Sequence, residues 1–481
     1  MAENLNNKVK TATKWSAITE IAAKLVAPIS TMVLARLLTP DAFGVLVTTT
    51  MVISFAEIFT DAGFQKYIIQ KSFDNDDQLF KSTAVAFWSN LIMSLVIWAC
   101  IVVFSPQIAR LVGNEGYGLV IAVSCVCIPL AAFSSIQMAL FKRWLDFKTL
   151  FHVRIVGVLI PLFVTIPLAF VTRSYWSLII GMIALNISNA ILLTWKSRWK
   201  PKWFYDWKLF KEMFSFTSWS MFEAISIWLT GYLDIFIVGS ILDTYYMGIY
   251  RTSMNTVASI LAIITSATTP VLFSALSRLQ SDKNEFEKMF FKFQKLVSLL
   301  VMPIGVCIFL YADLVTAILL GNQWGDAIEF IAIWGLISCI AIVLGHYCGE
   351  VFRAKGKPQY SVLAQWLYLI VLVPAVYISL QYDFKSLCYT RSFIRIEAMI
   401  VDLLLLYILV KISPIKMIKN IMPAVLACLV VVLVNKLLPP YTNDIIEIGY
   451  FAVSILTYSL VILLFKEERM LLLNLKNIVK K

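Results

Sequence analysis

Long apolar runs, each about as long as a bilayer is thick, leave this chain few ways to fold. Fourteen can be marked: Trp15–Ala35, Phe43–Phe64, Leu79–Phe104, Tyr117–Leu140, Thr149–Phe170, Tyr175–Trp195, Glu212–Val238, Tyr245–Phe273, Leu296–Tyr311, Ala327–Glu350, Tyr360–Gln381, Leu387–Val410, Met417–Leu437 and Ile445–Phe465. A helix crosses the hydrocarbon core with roughly 20 residues. In lipid each backbone N–H and C=O must be satisfied inside the segment, so such runs fold as helices. Of the 481 residues, 60% are hydrophobic and 15% charged. That balance leaves little mass for a soluble domain, and the chain reads as an all-α polytopic membrane protein of about fourteen transmembrane helices.

The loops test this count, because cytoplasmic connections carry an excess of Lys and Arg. With the N-terminus (Lys8, Lys10, Lys14) in the cytoplasm, alternate loops collect 32 of the 41 basic residues, and the opposite loops hold only Arg36, Arg110, Arg173, Lys385 and Lys436. Both termini are therefore expected in the cytoplasm. The net charge of +12 then follows from topology, and no nucleic-acid partner is expected. Met1–Lys14 is polar and does not resemble a cleavable signal. The eight cysteines fall in apolar runs and there are only His152 and His346, so neither a metal site nor a disulfide frame is expected. Trp144, Trp176, Trp195, Trp199, Trp203, Trp207 and Trp324 sit at span ends, where an aromatic belt belongs. Trp203–Lys211 reads as an interfacial helix leading into span seven.

Leu34-Ala35-Arg36-Leu37-Leu38-Thr39-Pro40-Asp41-Ala42-Phe43-Gly44 closes span one and opens span two. Pro40 stops one helix and suits the first turn of the next, and Gly44 permits close helix approach. This stretch returns at an offset of 204: Leu38 maps onto Leu242 and Gly44 onto Gly248, as Thr13, Trp15 and Ser16 map onto Thr217, Trp219 and Ser220. Six spans separate corresponding points, so the halves share one orientation and a pseudo-two-fold axis along the membrane normal. The organisation expected is an N-lobe over 1–200, a C-lobe over 201–411, and two extra spans with a tail over 412–481.

Further motifs are Ala35–Pro40 with Phe43-Gly44, Asp61-Ala62-Gly63-Phe64, Arg143 with Asp146-Phe147, Asp234 with Ile237-Val238-Gly239, Met247–Tyr250, Pro270, Ser274, Ser277-Arg278, Gln280, Pro303, Gly321 with Gln323-Trp324, and Gly356-Lys357-Pro358. In this order and spacing they resemble those of the polysaccharide-transporter (Wzx-type) flippases of the MATE/MOP exporter superfamily, nearest to the colanic acid and teichuronic acid exporters. Asp243-Thr244-Tyr245-Tyr246 departs from the smaller, Gly-bearing turn usual there. The resemblance implies two pseudo-symmetric six-helix lobes around a central cavity. It also implies alternating access that moves a polyprenyl-diphosphate-linked oligosaccharide from the cytoplasmic to the outer leaflet of the bacterial inner membrane, for O-antigen, capsule or exopolysaccharide. A polymerase and a chain-length regulator are implied as pathway partners, and membrane lipids as surroundings. No cofactor, metal or catalytic residue is implied.

Such a cargo needs interior cations for its phosphates, and a charge at the bilayer centre costs at least ~2.5–3.5 kcal/mol. Lys24 (with Glu20 one turn before it), Arg251, Arg391 and Arg395 lie inside spans, and Arg154 near the end of span five. They are the candidate substrate cations. Salt bridges within or between helices compete as readings of Lys24, Arg391 and Arg395, and snorkelling as the reading of Arg154. Arg251 has no acidic residue within a turn; its partner is a ligand or comes from another helix, such as Glu223 or Asp234. The intramembrane acids Glu20, Glu57, Asp61, Glu223, Asp234 and Glu350 are candidates for ion coupling or for structural pairing. His346 lies one turn before Glu350, and Arg36, Pro40, Gly44 and Gly248 form a candidate gate or latch.

Competing readings share parts of this pattern. A MATE-type cation exporter would want an acidic cavity, whereas several interior charges here are positive. A membrane polymerase or glycosyltransferase would show a large external loop or a soluble acidic metal site, and only the short run Asp74-Asn75-Asp76-Asp77 is available. Transport of lipid II itself rests on the same physics.

Overall fold

The computed structural model describes residues 26–61, 63–357, 359–439 and 444–470. Among them all regular structure is helical. In chain order the elements are α1 (Val26–Leu37), α2 (Pro40–Asp61), α3 (Phe64–Gln70), α4 (Asp76–Val103), α5 (Ser105–Leu111), α6 (Gly118–Ser124), α7 (Cys127–Arg143), α8 (Phe147–Ile160), α9 (Ile166–Thr172), α10 (Trp176–Lys196), α11 (Trp207–Ile241), α12 (Thr244–Arg278), α13 (Lys283–Leu310), α14 (Ala312–Leu319), α15 (Ile328–Ala341), α16 (Cys348–Ala354), α17 (Gln359–Ser379), α18 (Phe384–Val410), α19 (Pro414–Leu437) and α20 (Asp444–Leu464).

Twelve helical segments among the described residues are long and apolar enough to cross a membrane. The other two expected spans fall short of that measure. One is α18, of 27 residues, which carries Arg391, Arg395, Glu397 and Asp402 in its length. The other is span one, of which α1 is the described part.

Polar caps set the ends. Asn75, Asp206, Asp282, Asp383 and Ser413 each accept a backbone N–H at the start of α4, α11, α13, α18 and α19, satisfying donors that a helix leaves unpaired. Asp206 caps a helix that begins at Trp207, so Trp207–Lys211 is the first turn and a half of α11 and not a separate interfacial helix, while residues 203–206 are non-helical. The aromatic belt is likewise narrower than expected. Trp195, Trp203 and Trp207 are exposed, but Trp199 and Trp324 are buried. Trp199 packs edge-to-face on Phe87 in a hydrophobic cluster. Two expected spans contain a π turn, at Pro161–Thr165 between α8 and α9 and at Ile342–His346 between α15 and α16.

Contacts divide the chain into two units, Met1–Arg251 and Thr252–Lys481. In the first, α7 packs against α3, α4 and α10, and α11 packs along α2, α3 and α4. In the second, α13 packs against α15 and α19, and α18 against α15 and α17.

Within the first unit the returning motif makes reciprocal contacts. A Cβ placed on Gly44 would lie 1.9 Å from the carbonyl oxygen of Thr244, and one on Gly248 would lie 1.9 Å from that of Pro40. Pro40 and Thr244 are themselves related by the offset of 204. The starts of α2 and α12 thus cross backbone to backbone about a local two-fold, and no side chain fits at either glycine. Thr244 Oγ1 donates to Asp41 Oδ1 (3.3 Å), and Thr48 Oγ1 approaches Met247 Sδ (3.2 Å). The divergent Asp243–Tyr246 turn caps α12 instead of needing a glycine, because the Tyr246 N–H donates to Asp243 Oδ1 (3.1 Å). A second close approach joins the turn after α5 to the last turn of α11: a Cβ on Gly113 would lie 1.4 Å from the Gly239 oxygen.

Candidate functional site

The interior cations fall in two settings. In the first unit, Arg251 lies two turns into α12 and is partly buried. Its Cζ sits 5.4 Å from the Tyr232 ring, and its Nη1 donates to the Gly231 carbonyl at 3.4 Å. Tyr232 stacks on Trp228 one turn earlier in α11 (5.6 Å, 17°). Trp228 is pinned in turn: its Nε1 donates to Ser54 Oγ on α2 (3.0 Å) and its ring meets Phe55 at 4.8 Å. The guanidinium therefore rests on a two-ring aromatic ladder. Among the described residues no carboxylate lies within ion-pair distance of it. Asp234, one of its expected partners, is turned elsewhere: it is buried, accepts from Tyr250 Oη (2.9 Å), and accepts the Ile235 N–H (2.8 Å).

In the second unit, Arg391 and Arg395 stand one turn apart on α18, over one indole. Their Cζ atoms are 5.0 Å and 4.4 Å from the Trp334 ring of α15. Arg391 Nη1 donates to Tyr368 Oη of α17 (2.5 Å), and Arg395 Nη1 donates to Ser338 Oγ (2.5 Å). Each pairing of a guanidinium with an aromatic face is worth ~0.5–2 kcal/mol, more as water is excluded. Asp402, on the same helix face, reaches the bend before α16: its Oδ2 lies 3.4 Å from a Cβ built on Gly345. The Oε2 of Glu397 is buried and has no hydrogen-bond partner among the described residues.

The remaining candidates are dispersed. His346 ends the π turn, is exposed, and lies 3.4 Å from Thr269 Oγ1. Glu350 is buried and pairs with Arg353 one turn on. Arg154 on α8 and Arg36 on α1 are exposed, and Glu57 on α2 is partly buried. Pro40, Gly44 and Gly248 form the crossing described above. Lys24, Glu20 and the side chains of Asp61 and Glu223 lie outside the described residues.

Sequence reasoning found the cations and missed their aromatic supports. Trp228 and Tyr232, four residues apart, share a helix face, and that spacing was available to a reader. Trp334 and Tyr368 reach the arginines from other helices, so no local spacing marks them.

A model of the family described as "Polysaccharide biosynthesis protein" matches residues 33–329. The chain belongs to this family. The match begins before the α1–α2 tip motif and ends in the first turn of α15. The chain is 24% identical, over 77% of each chain, to an "Uncharacterized membrane protein in cps region" of Klebsiella pneumoniae. It is 21% identical to the "Lipopolysaccharide biosynthesis protein WzxC" of Escherichia coli, over 78% of this chain and 76% of that one. Its fold is that of the solved "Lipid II flippase MurJ, inward closed conformation", with a TM-score of 0.73 at 14% identity, covering 94% of this chain and 99% of that one.

Proposed function

We propose that this protein moves polyprenyl-diphosphate-linked oligosaccharide repeat units from the cytoplasmic to the outer leaflet of the bacterial inner membrane by alternating access. The product feeds assembly of O-antigen, capsule or exopolysaccharide. Membership of the polysaccharide biosynthesis family supports this, as do the names of its relatives. The observation that carries it is the pair Arg391 and Arg395 on the face of Trp334. Two guanidinium groups stand one turn apart on one helix face, held on a single indole. A diphosphate offers both a charge-assisted, forked acceptor. Trp334 and Tyr368 beside them, and Trp228 and Tyr232 beside Arg251, offer flat faces and hydroxyls to sugar rings. A cation exporter would want acidic groups in such a place.

On this reading both termini are cytoplasmic and the protein catalyses no bond making. The lobes over 1–200 and 201–411 carry the alternation, with 412–481 as an addition, and a polymerase and chain-length regulator act on the product. The test is a strain lacking the protein. Complete lipid-linked repeat units should accumulate, shielded from a membrane-impermeant sugar-cleaving reagent, while surface polymer is lost. Unchanged lipid-linked pools and surface polymer would remove the proposal.

A further inference from the structure

Within the first unit, α2, α4, α5 and α11 enclose a groove of about 1060 Å³, at the upper end of what single small ligands occupy. Its walls along α4 run from Ser89 to Ile101, and Phe104 continues them. That length is about 22 Å at 1.5 Å per residue, most of a hydrocarbon core ~30 Å thick. One side is open: Ile92, Val96 and Phe104 line it and remain exposed. At one end Ser89 Oγ donates to Tyr205 Oη (3.2 Å), and nearly all the rest is apolar. The groove also touches Trp228, and from Trp228 the stack continues to Tyr232 and to Arg251. A long apolar groove and a partly buried cation are thus joined by two ring contacts.

We infer that this groove holds the polyisoprenyl chain of the transported lipid in the step of its passage in which the diphosphate meets Arg251, a step distinct from its contact with Arg391 and Arg395. The inference rests on the function proposed above. An ordinary phospholipid keeps its head at the interface, whereas this groove leads inward to a positive charge. A chain with an anionic head at Arg251 lies directly against Trp228 and enters the groove there.

The protein carries its own reporter. Cys100 lines the groove and is exposed, while the other seven cysteines are buried. Full-length protein in phosphatidylcholine nanodiscs is treated with a membrane-permeant maleimide, with Cys100→Ser as the labelling control. Undecaprenyl diphosphate at about ten times its Kd should slow Cys100 alkylation about tenfold, since only the unliganded state reacts. Added phosphatidylglycerol should not. Ile92→Trp, at an exposed groove position, should raise the undecaprenyl diphosphate concentration needed for protection about tenfold. Equal protection by phosphatidylglycerol would assign the groove to ordinary lipid and overturn the inference. Undiminished alkylation by a protein that still flips lipid-linked oligosaccharide would place the chain elsewhere and leave the proposed function intact. Loss of both flipping and protection would sink the functional reading and this inference with it.

Discussion

Gly44→Ala and Gly248→Ala test the crossing of α2 and α12. Each adds one methyl group 1.9 Å from a backbone oxygen, where ordinary contact begins at 3.4 Å. The helices must separate by up to the difference, 1.5 Å, because a backbone carbonyl cannot swing aside as a side chain does. Overpacking of this kind costs about 1–3 kcal/mol, partly offset by the ~0.5–1 kcal/mol that alanine gains over glycine inside a helix. A net loss of about 1–2 kcal/mol lowers Tm by about 2–8 °C in a unit of roughly this size. Gly449→Ala is the control: it lies in α20 with no atom within 4 Å of the added Cβ, so its Tm should hold or rise. The reciprocal geometry makes a sharper claim. One separation of the helices relieves both clashes, so the double variant should cost less than the sum of the singles. Thermal unfolding of detergent-purified protein reads all four. Single variants as stable as Gly449→Ala would refute the close crossing, and strictly additive losses would refute its reciprocity.

Other substitutions address the cations and their supports. Arg251→Ala should cut surface polymer by about tenfold or more, as loss of an anchoring charge pair costs ~2–5 kcal/mol, with membrane insertion unchanged; normal polymer would remove Arg251 from the site. Arg395→Lys keeps the charge but loses the planar fork, so export should fall while Tm stays near that of the unaltered protein. Asp234→Asn keeps an acceptor for Tyr250 Oη and should be milder than Asp234→Ala, which strands a buried hydroxyl at a cost of about 1–3 kcal/mol; equal losses in Tm would refute a structural role. In the first turns of α11, ahead of its crossing segment Ala224–Ile241, the Lys71 ammonium beside Glu212, followed by Tyr67 Oη, holds that carboxyl below its usual range. The folded state therefore binds fewer protons there than the unfolded state. Its contribution is present above the ordinary carboxylate pKa of ~4.3 and fades as pH falls through the lower folded value. Glu212→Gln should flatten the acid side of the Tm–pH curve.

Much of the architecture was legible because lipid forbids most alternatives. Apolar length marked the spans. Span twelve was read as one apolar run, and α18 is a continuous helix there, although four charged residues interrupt the run. The tip glycines were legible because a close approach has one residue type that suits it. Other features depend on packing that no local pattern records. Trp324 sits at a span end, as a belt residue would, yet it is fully buried. The π turn ending at His346 interrupts a run that reads as one helix, and Glu350 pairs with Arg353. The indole shared by Arg391 and Arg395 belongs to α15, some sixty residues away in sequence. The groove is built from four helices, each of which looks simply apolar.

The most direct test of transport uses purified protein in proteoliposomes with an undecaprenyl-diphosphate-linked repeat unit from the producing strain. A sugar-cleaving enzyme added outside reads the fraction of substrate in the outer leaflet. The account predicts that wild-type protein makes substrate initially confined to the inner leaflet accessible, and that Arg251→Ala and the Arg391→Ala/Arg395→Ala variant leave it shielded. Shielding by the wild-type protein, or equal exposure by all three, would contradict it.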